Sequence, residues 1–109
     1  LSKTSAWILG RMELNAGRYD EARTWLRRAH EINPYFHPVF IDLGRVEQAG
    51  GHREEAAFWF EAAYAAAPDD PEAILCLAEM KRLSGDTEFA EGLYRKAAQR
   101  TPYPSGLTQ

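Results

Sequence analysis

Apolar positions along the chain recur with a helical period that is interrupted at regular intervals. Phe40, Leu43 and Val46 fall on one helical face with Glu47, and Gly50-Gly51 stop the run. Ala56, Phe60, Ala63 and Tyr64 resume the period, which ends before Pro68. The pattern predicts pairs of helices of about 13 residues each, joined by short turns, with no room for strands. The punctuation agrees with it. Gly17, Gly51 and Gly85 suit the left-handed residue that ends a helix. Pro38 and Pro71 suit a first helical turn, where a missing N–H costs nothing. Asp70 and Asp86 stand where an N-cap is needed, and Pro34, Pro68 and Pro102 close the second helix of each pair.

Those prolines are also 34 residues apart. The same offset relates Ala22, Ala56 and Ala90; Ala29, Ala63 and Ala97; Gly17, Gly51 and Gly85; Leu9, Leu43 and Leu77; and Gly10, Gly44 and Ala78. Six columns in register three times define repeated units at residues 3–36, 37–70 and 71–104, followed by a tail, 105–109. Gly10, Gly44 and Ala78 are expected where the first helix meets its partner, since a larger side chain would push the axes apart. Ala22, Ala56 and Ala90 do the same on the second helix, and Leu26, Phe60 and Tyr94 supply the large knob.

These residues resemble the tetratricopeptide repeat. Phe40-x-x-Leu43-Gly44, Ala56-x-x-x-Phe60 and Pro68 match its pattern in the second unit. Leu9-Gly10, Gly17-Arg18-Tyr19-Asp20-Glu21-Ala22, Ala29 and Pro34 match it in the first, and Leu77-Ala78, Ala90-x-x-x-Tyr94, Ala97 and Pro102 in the third. Departures are Ala6 and Ile74 in an aromatic column, Glu13, Glu47 and Lys81 in the next, and Arg53 and Thr87 where the first unit has Tyr19. The resemblance implies an all-α fold, a right-handed α-solenoid of three antiparallel helix hairpins. Its first helices would line a concave groove and its second helices the convex face.

Carried onto this chain, the groove rows are Trp7, Ile41 and Leu75, apolar; Arg11, Arg45 and Glu79, charged; and Leu14, Gln48 and Arg82, flanked by Asn15, Ala49 and Leu83. Such rows suit a peptide, with Trp7 and Ile41 around an apolar anchor. Arg11 and Arg45 would grip a carboxylate, because the guanidinium fork binds one bidentately. The competing arrangement is an Arg45–Glu79 pair that merely solvates the face. Some co-chaperones of this family clamp a C-terminal carboxylate with a Lys, Asn, Asn, Lys, Arg set. The matching places here hold Trp7, Arg11, Asp42, Glu72 and Cys76, which disfavours such a clamp.

Composition narrows the partner class. A formal net charge of −3, with 45% hydrophobic and 27% charged residues, gives no general attraction to nucleic acid. No run of about 18 apolar residues offers a span, so no direct membrane insertion is expected. His30, His37 and His52 lack metal-ligand spacing, and one cysteine, Cys76, makes neither a disulfide nor a metal cluster. No cofactor is expected, and Cys76 reads as a packing residue. Trp25 and Trp59 share a column and are expected to pack between repeats, the alternative being a convex-face or self-association patch.

The expectation is therefore a protein-binding scaffold and not an enzyme, with a peptide or partner subunit in the groove. The alternative is a regulatory or targeting region of a multidomain bacterial enzyme or envelope-assembly protein. Neither cytoplasm nor periplasm is favoured. The chain begins at Leu1 and reads as part of a longer protein. Nothing after the last unit is long enough to cover Phe89, Leu93 and Tyr94, which are expected to be partly exposed; either more repeats or a capping helix follow in the parent protein, or this face forms a homodimer through the uncapped C-terminal helix.

Overall fold

The computed structural model describes residues 3–100, with side chains from Ser5 to Gln99; the end of the third unit and the tail lie outside them. Six helices follow in order: α1 (Lys3–Asn15), α2 (Tyr19–Ile32), α3 (His37–Ala49), α4 (Arg53–Ala66), α5 (Pro71–Leu83) and α6 (Thr87–Arg100). Each odd helix packs most closely on the even helix after it. Each even helix then packs on the next odd one, and α1, α3 and α5 lie side by side.

The turns are built alike, for a stated reason. Gly17, Gly51 and Gly85 have φ of 80°, 80° and 92°, a conformation glycine adopts without strain. It lets two orphan carbonyls be satisfied at each helix end. Arg18 N–H donates to the Glu13 carbonyl at 2.9 Å and Gly17 N–H to that of Leu14 at 3.0 Å; the same pairs recur as His52–Glu47 with Gly51–Gln48, and Asp86–Lys81 with Gly85–Arg82. Asp70 caps α5 by accepting from the Glu72 N–H at 3.2 Å, and Asp86 caps α6 by accepting from that of Phe89 at 3.3 Å.

Within each hairpin the small column sets the helix separation. A Cβ built on Gly10 would lie 2.6 Å from the Leu26 side chain, and one on Gly44 would run into the Phe60 ring. Leu26 and Phe60 are fully buried. Between hairpins, one cluster joins Ala22, Leu26 and Ala29 of the first to Val39, Leu43 and Val46 of α3. A second joins Ala56 and Phe60 to Ile74, Leu77, Ala78, Met80, Leu93 and Ala97. Trp25 and Trp59 are half-buried against these clusters, so they pack between repeats as expected.

An ionic staple ties the first junction together on the turn side. Arg23 of α2 grips Glu47 of α3 bidentately, Nη2 to Oε1 at 2.9 Å and Nε to Oε2 at 3.0 Å. His52 Nδ1 lies 2.9 Å from the same Oε1. Glu47 is buried, yet the Arg23 hydrogen bonds hold its carboxyl below the usual carboxylate range.

The expected exposure of Leu93 is corrected. It is 5% exposed, because Ala90, Leu93, Tyr94 and Ala97 share one face of α6 and that face lies on α5. Tyr94 is half-buried and Phe89 is exposed, with Lys81 Nζ 5.1 Å above its ring. A smaller side chain than the tryptophans of its column, Leu93 is taken up in the cluster that joins the second and third hairpins.

Two outcomes follow from this packing. Gly44→Ala should lower stability by about 1–3 kcal/mol, as overpacking against a ring that has nowhere to move, measured by urea unfolding; a change under about 0.5 kcal/mol would contradict the contact. Glu47, its folded pKa depressed, stabilises the fold above the unfolded glutamate value of about 4.3 and loses that contribution as pH falls through the folded value. Glu47→Gln should therefore lower stability at neutral pH and flatten its decline below about pH 4.3, read from unfolding curves at several pH values.

Candidate functional site

The shared face of α1, α3 and α5 carries most of the expected row residues, but it is organised by one that sequence reasoning set aside. Asp42 is 2% exposed and sits at the base of this face. The Trp7 indole N–H donates to its Oδ2 at 2.7 Å. Arg11 Nε lies 3.4 Å from Oδ2, and Arg45 Nη1 3.7 Å from Oδ1. The Arg11 guanidinium also stands 5.4 Å above the Trp7 ring, a cation–π contact. Burial pushes the Asp42 carboxyl above its ordinary value, while the Trp7 N–H and the two arginines pull it back. Arg11 and Arg45 do converge on a carboxylate, and it is the chain's own.

The remaining charges of the face are matched in the same way. Arg45 Nη2 donates to Glu72 Oε2 at 2.8 Å and to the Cys76 sulfur at 3.9 Å. Arg82 pairs with Glu79, which also accepts from the Tyr94 hydroxyl at 2.9 Å. The Arg82 and Tyr94 hydrogen bonds hold the Glu79 carboxyl low. The Arg45–Glu79 pair weighed from the sequence is replaced by Arg45–Glu72, because Glu72 starts α5 within reach of Arg45, whereas Glu79 is two turns further on. Three guanidiniums, Arg11, Arg45 and Arg82, thus face three carboxylates, Asp42, Glu72 and Glu79.

Between α3 and α5 the face opens into a trough of about 490 Å³ lined by Arg45, Gln48, Pro71, Glu72, Leu75, Cys76 and Glu79, with Phe60 beneath. Leu75 is 44% exposed and supplies its apolar wall. Gln48 reaches across to the Met80 sulfur at 3.7 Å. Burial pushes the Cys76 thiol up, so it stays protonated at neutral pH, as a packing residue does.

Not every expected residue reaches this face. Ile41 is corrected: it is 1% exposed, in a cluster with Phe40, Ala63 and Ala73. It belongs to the middle hairpin, whose first helix has neighbours on both sides, whereas Trp7 and Leu75 stand on the outer helices. Trp7 is half-buried, stacked edge-on to Phe36 at 5.0 Å. Asn15, Gln48 and Arg82 are exposed near the ends of α1, α3 and α5. Asp42 itself had a signal in the sequence, an acid inside the apolar run Val39-Phe40-Ile41-Asp42-Leu43.

The histidines have separate surroundings. His37 Nε2 is 3.0 Å from Asp70 Oδ2, His52 joins the Glu47 staple, and His30 lies edge-on to Phe40 and Trp59 at 5.3 and 5.5 Å. Among the described residues no three His, Cys, Asp or Glu side chains form a metal-sized group, and no helix is long and apolar enough to cross a membrane.

Comparison with known proteins bears on both fold and family. No curated protein matches the chain by sequence. Among solved structures, MamA superposes with a TM-score of 0.82 at 21% identity, over 91% of this chain and 58% of its own. PcrH in complex with the chaperone binding region of PopB gives 0.81 at 23%, over 92% and 83%. The Yersinia enterocolitica type III secretion chaperone SycD, in complex with a peptide of the translocator YopD, gives 0.82 at 18%, over 96% and 80%. This chain therefore spans a little over half the length of MamA. At these identities the likeness establishes the helical solenoid and no more. A family model for the tetratricopeptide repeat matches residues 13–79, more than half of the sequence. With the 34-residue register, the three hairpins and this match in agreement, the chain belongs to the tetratricopeptide repeat family.

Proposed function

We propose that this chain is a protein-interaction module that holds an extended segment of a partner protein in the trough between α3 and α5. The observation that carries the reading is the trough itself: an apolar wall at Leu75 and Pro71, rimmed by Arg45, Gln48 and Glu79. That is the composition of a site that takes one apolar side chain and hydrogen-bonds the backbone around it. PcrH and SycD, which share the fold, are each solved with a segment of a partner, which supports the reading without fixing the partner.

The charge pairing sharpens the ligand class. Because Asp42, Glu72 and Glu79 neutralise the arginines of the face, a carboxylate gains little there, and an uncharged apolar segment is favoured over an acidic one.

The test is selection from a displayed library of random peptides, followed by affinity measurement on the enriched sequences. Enrichment of segments with a large apolar residue is expected, and Leu75→Glu should weaken them at least about tenfold while leaving the fold intact, since the Leu75 side chain already reaches solvent. Asp42→Asn should shift the enriched pool towards acidic sequences whose binding weakens with salt. Enrichment that is indifferent to Leu75→Glu would reject the trough.

A further inference from the structure

One buried carboxyl serves two arginines beneath the face that carries the trough. Asp42 Oδ2 accepts from the Trp7 indole N–H at 2.7 Å and lies 3.4 Å from Arg11 Nε, while Oδ1 lies 3.7 Å from Arg45 Nη1. The two arginines differ in what else holds them. Arg45 also grips Glu72, whereas Asp42 is the acidic partner of Arg11 among the described residues. Arg11 otherwise rests over the Trp7 ring and is exposed. Without the charge on Asp42, Arg11 stands on the face with no counter-ion, and Arg45 keeps one of two.

Packing does not require an acid at this place. The Asp42 column of the 34-residue register holds Ile8 and Cys76 in the outer hairpins. The groups that act on Asp42 come from three helices: Trp7 and Arg11 of α1, Arg45 of its own helix, and Glu72 and Cys76 of α5. From α2 and the turn before α4 come Arg23 and His52, both bonded to Glu47, and His30, which lies against Phe40 and Trp59. Burial is the largest influence on the carboxyl and favours its neutral form. Asp42 therefore titrates above the ordinary aspartate value of about 3.9.

We propose that Asp42 is a proton switch on the ligand class of the trough face. Ionised, it occupies Arg11 and Arg45, and the face takes an uncharged apolar segment. Neutral, it releases them, and the face takes a segment with an acidic group beside its apolar anchor. The switch rests on the trough as the binding site. It needs no movement of the chain, because a protonated carboxyl still accepts from the Trp7 N–H. Linkage makes it reciprocal: an anion that prefers the neutral form of Asp42 must also raise its titration midpoint.

The probe is inorganic sulfate, which stays a dianion throughout the titration, added to the full chain at constant ionic strength set with chloride. Two nuclear magnetic resonance signals report. The Trp7 indole N–H, assigned with Trp7→Phe, follows protonation of its acceptor, and the Arg11 Nε–H, assigned with Arg11→Lys, follows the anion. Between about pH 7 and about pH 4 the Trp7 signal should titrate. Sulfate binding at Arg11 should tighten at least about fivefold as that midpoint is passed, and sulfate should move the midpoint up. Asp42→Asn, neutral at every pH and still an acceptor for Trp7, should bind sulfate tightly at neutral pH already. That arm is read where the fold is fully stable, with circular dichroism as the check. Glu72→Gln should retain the pH dependence. Equal sulfate affinity at Arg11 above and below the Trp7 midpoint would overturn the switch, as would equal affinity of Asp42→Asn and the parent at neutral pH. Neither signal involves Leu75. Peptide binding that depends on Leu75 with no sulfate response rejects the switch alone, and a sulfate response with peptide binding indifferent to Leu75→Glu rejects the trough.

Discussion

The fold depends on how closely the two helices of a hairpin approach. That distance is set by a missing side chain: Gly44 leaves the space that the Phe60 ring fills, and Gly10 the space for Leu26. In the third hairpin Ala78 is buried in a cluster against which the half-buried Tyr94 packs. Close approach on the inner side buries the knobs. It also turns the opposite sides of α1, α3 and α5 into one continuous face, which is where the trough lies. Dispersion and burial of residues such as Phe60, worth about 1.5–3 kcal/mol each, then hold a stack whose members touch only their neighbours.

Charge is used at the first junction in two opposite ways. Glu47 and Asp42 are both buried acids on α3, separated by little more than a turn. Glu47 meets a bidentate arginine and is held strongly ionised, so it stabilises the junction at neutral pH. Asp42 meets its arginines only at 3.4 and 3.7 Å, and burial outweighs them. Its raised pKa means that its ionised form costs stability as pH rises through that value, the reverse of Glu47. An acid kept at such a cost beneath the groove face is understandable if it sets the character of that face, by occupying two arginines that would otherwise seek an anion.

The hairpins were legible in the sequence because six columns of small, large and turn-forming residues repeat every 34 positions, and each has a local physical cause. The helix caps at Asp70 and Asp86 and the three left-handed glycines were legible for the same reason. The groove face was only partly so. Its rows treat all three first helices as equivalent, whereas α3 is flanked on both sides and buries Ile41. Column equivalence also hides size: Leu93 shares its column with Trp25 and Trp59, yet it is buried where they are half-buried. Pairing depends on which carboxylate is within reach in space, so Arg45 turns to Glu72 and Asp42 rather than to the next member of its row. The acid inside the apolar run of α3 was the one sequence signal of that network.

The central claim is that partners are held on the face made by α1, α3 and α5. Its most direct test is site-specific photocrosslinking of the full chain in the cells that produce it, with the reactive residue placed at Leu75 in the trough or at Phe58, exposed on α4. The account predicts discrete adducts to a partner protein from position 75 and none of the same mass from position 58. Adducts that arise from position 58 alone would contradict it.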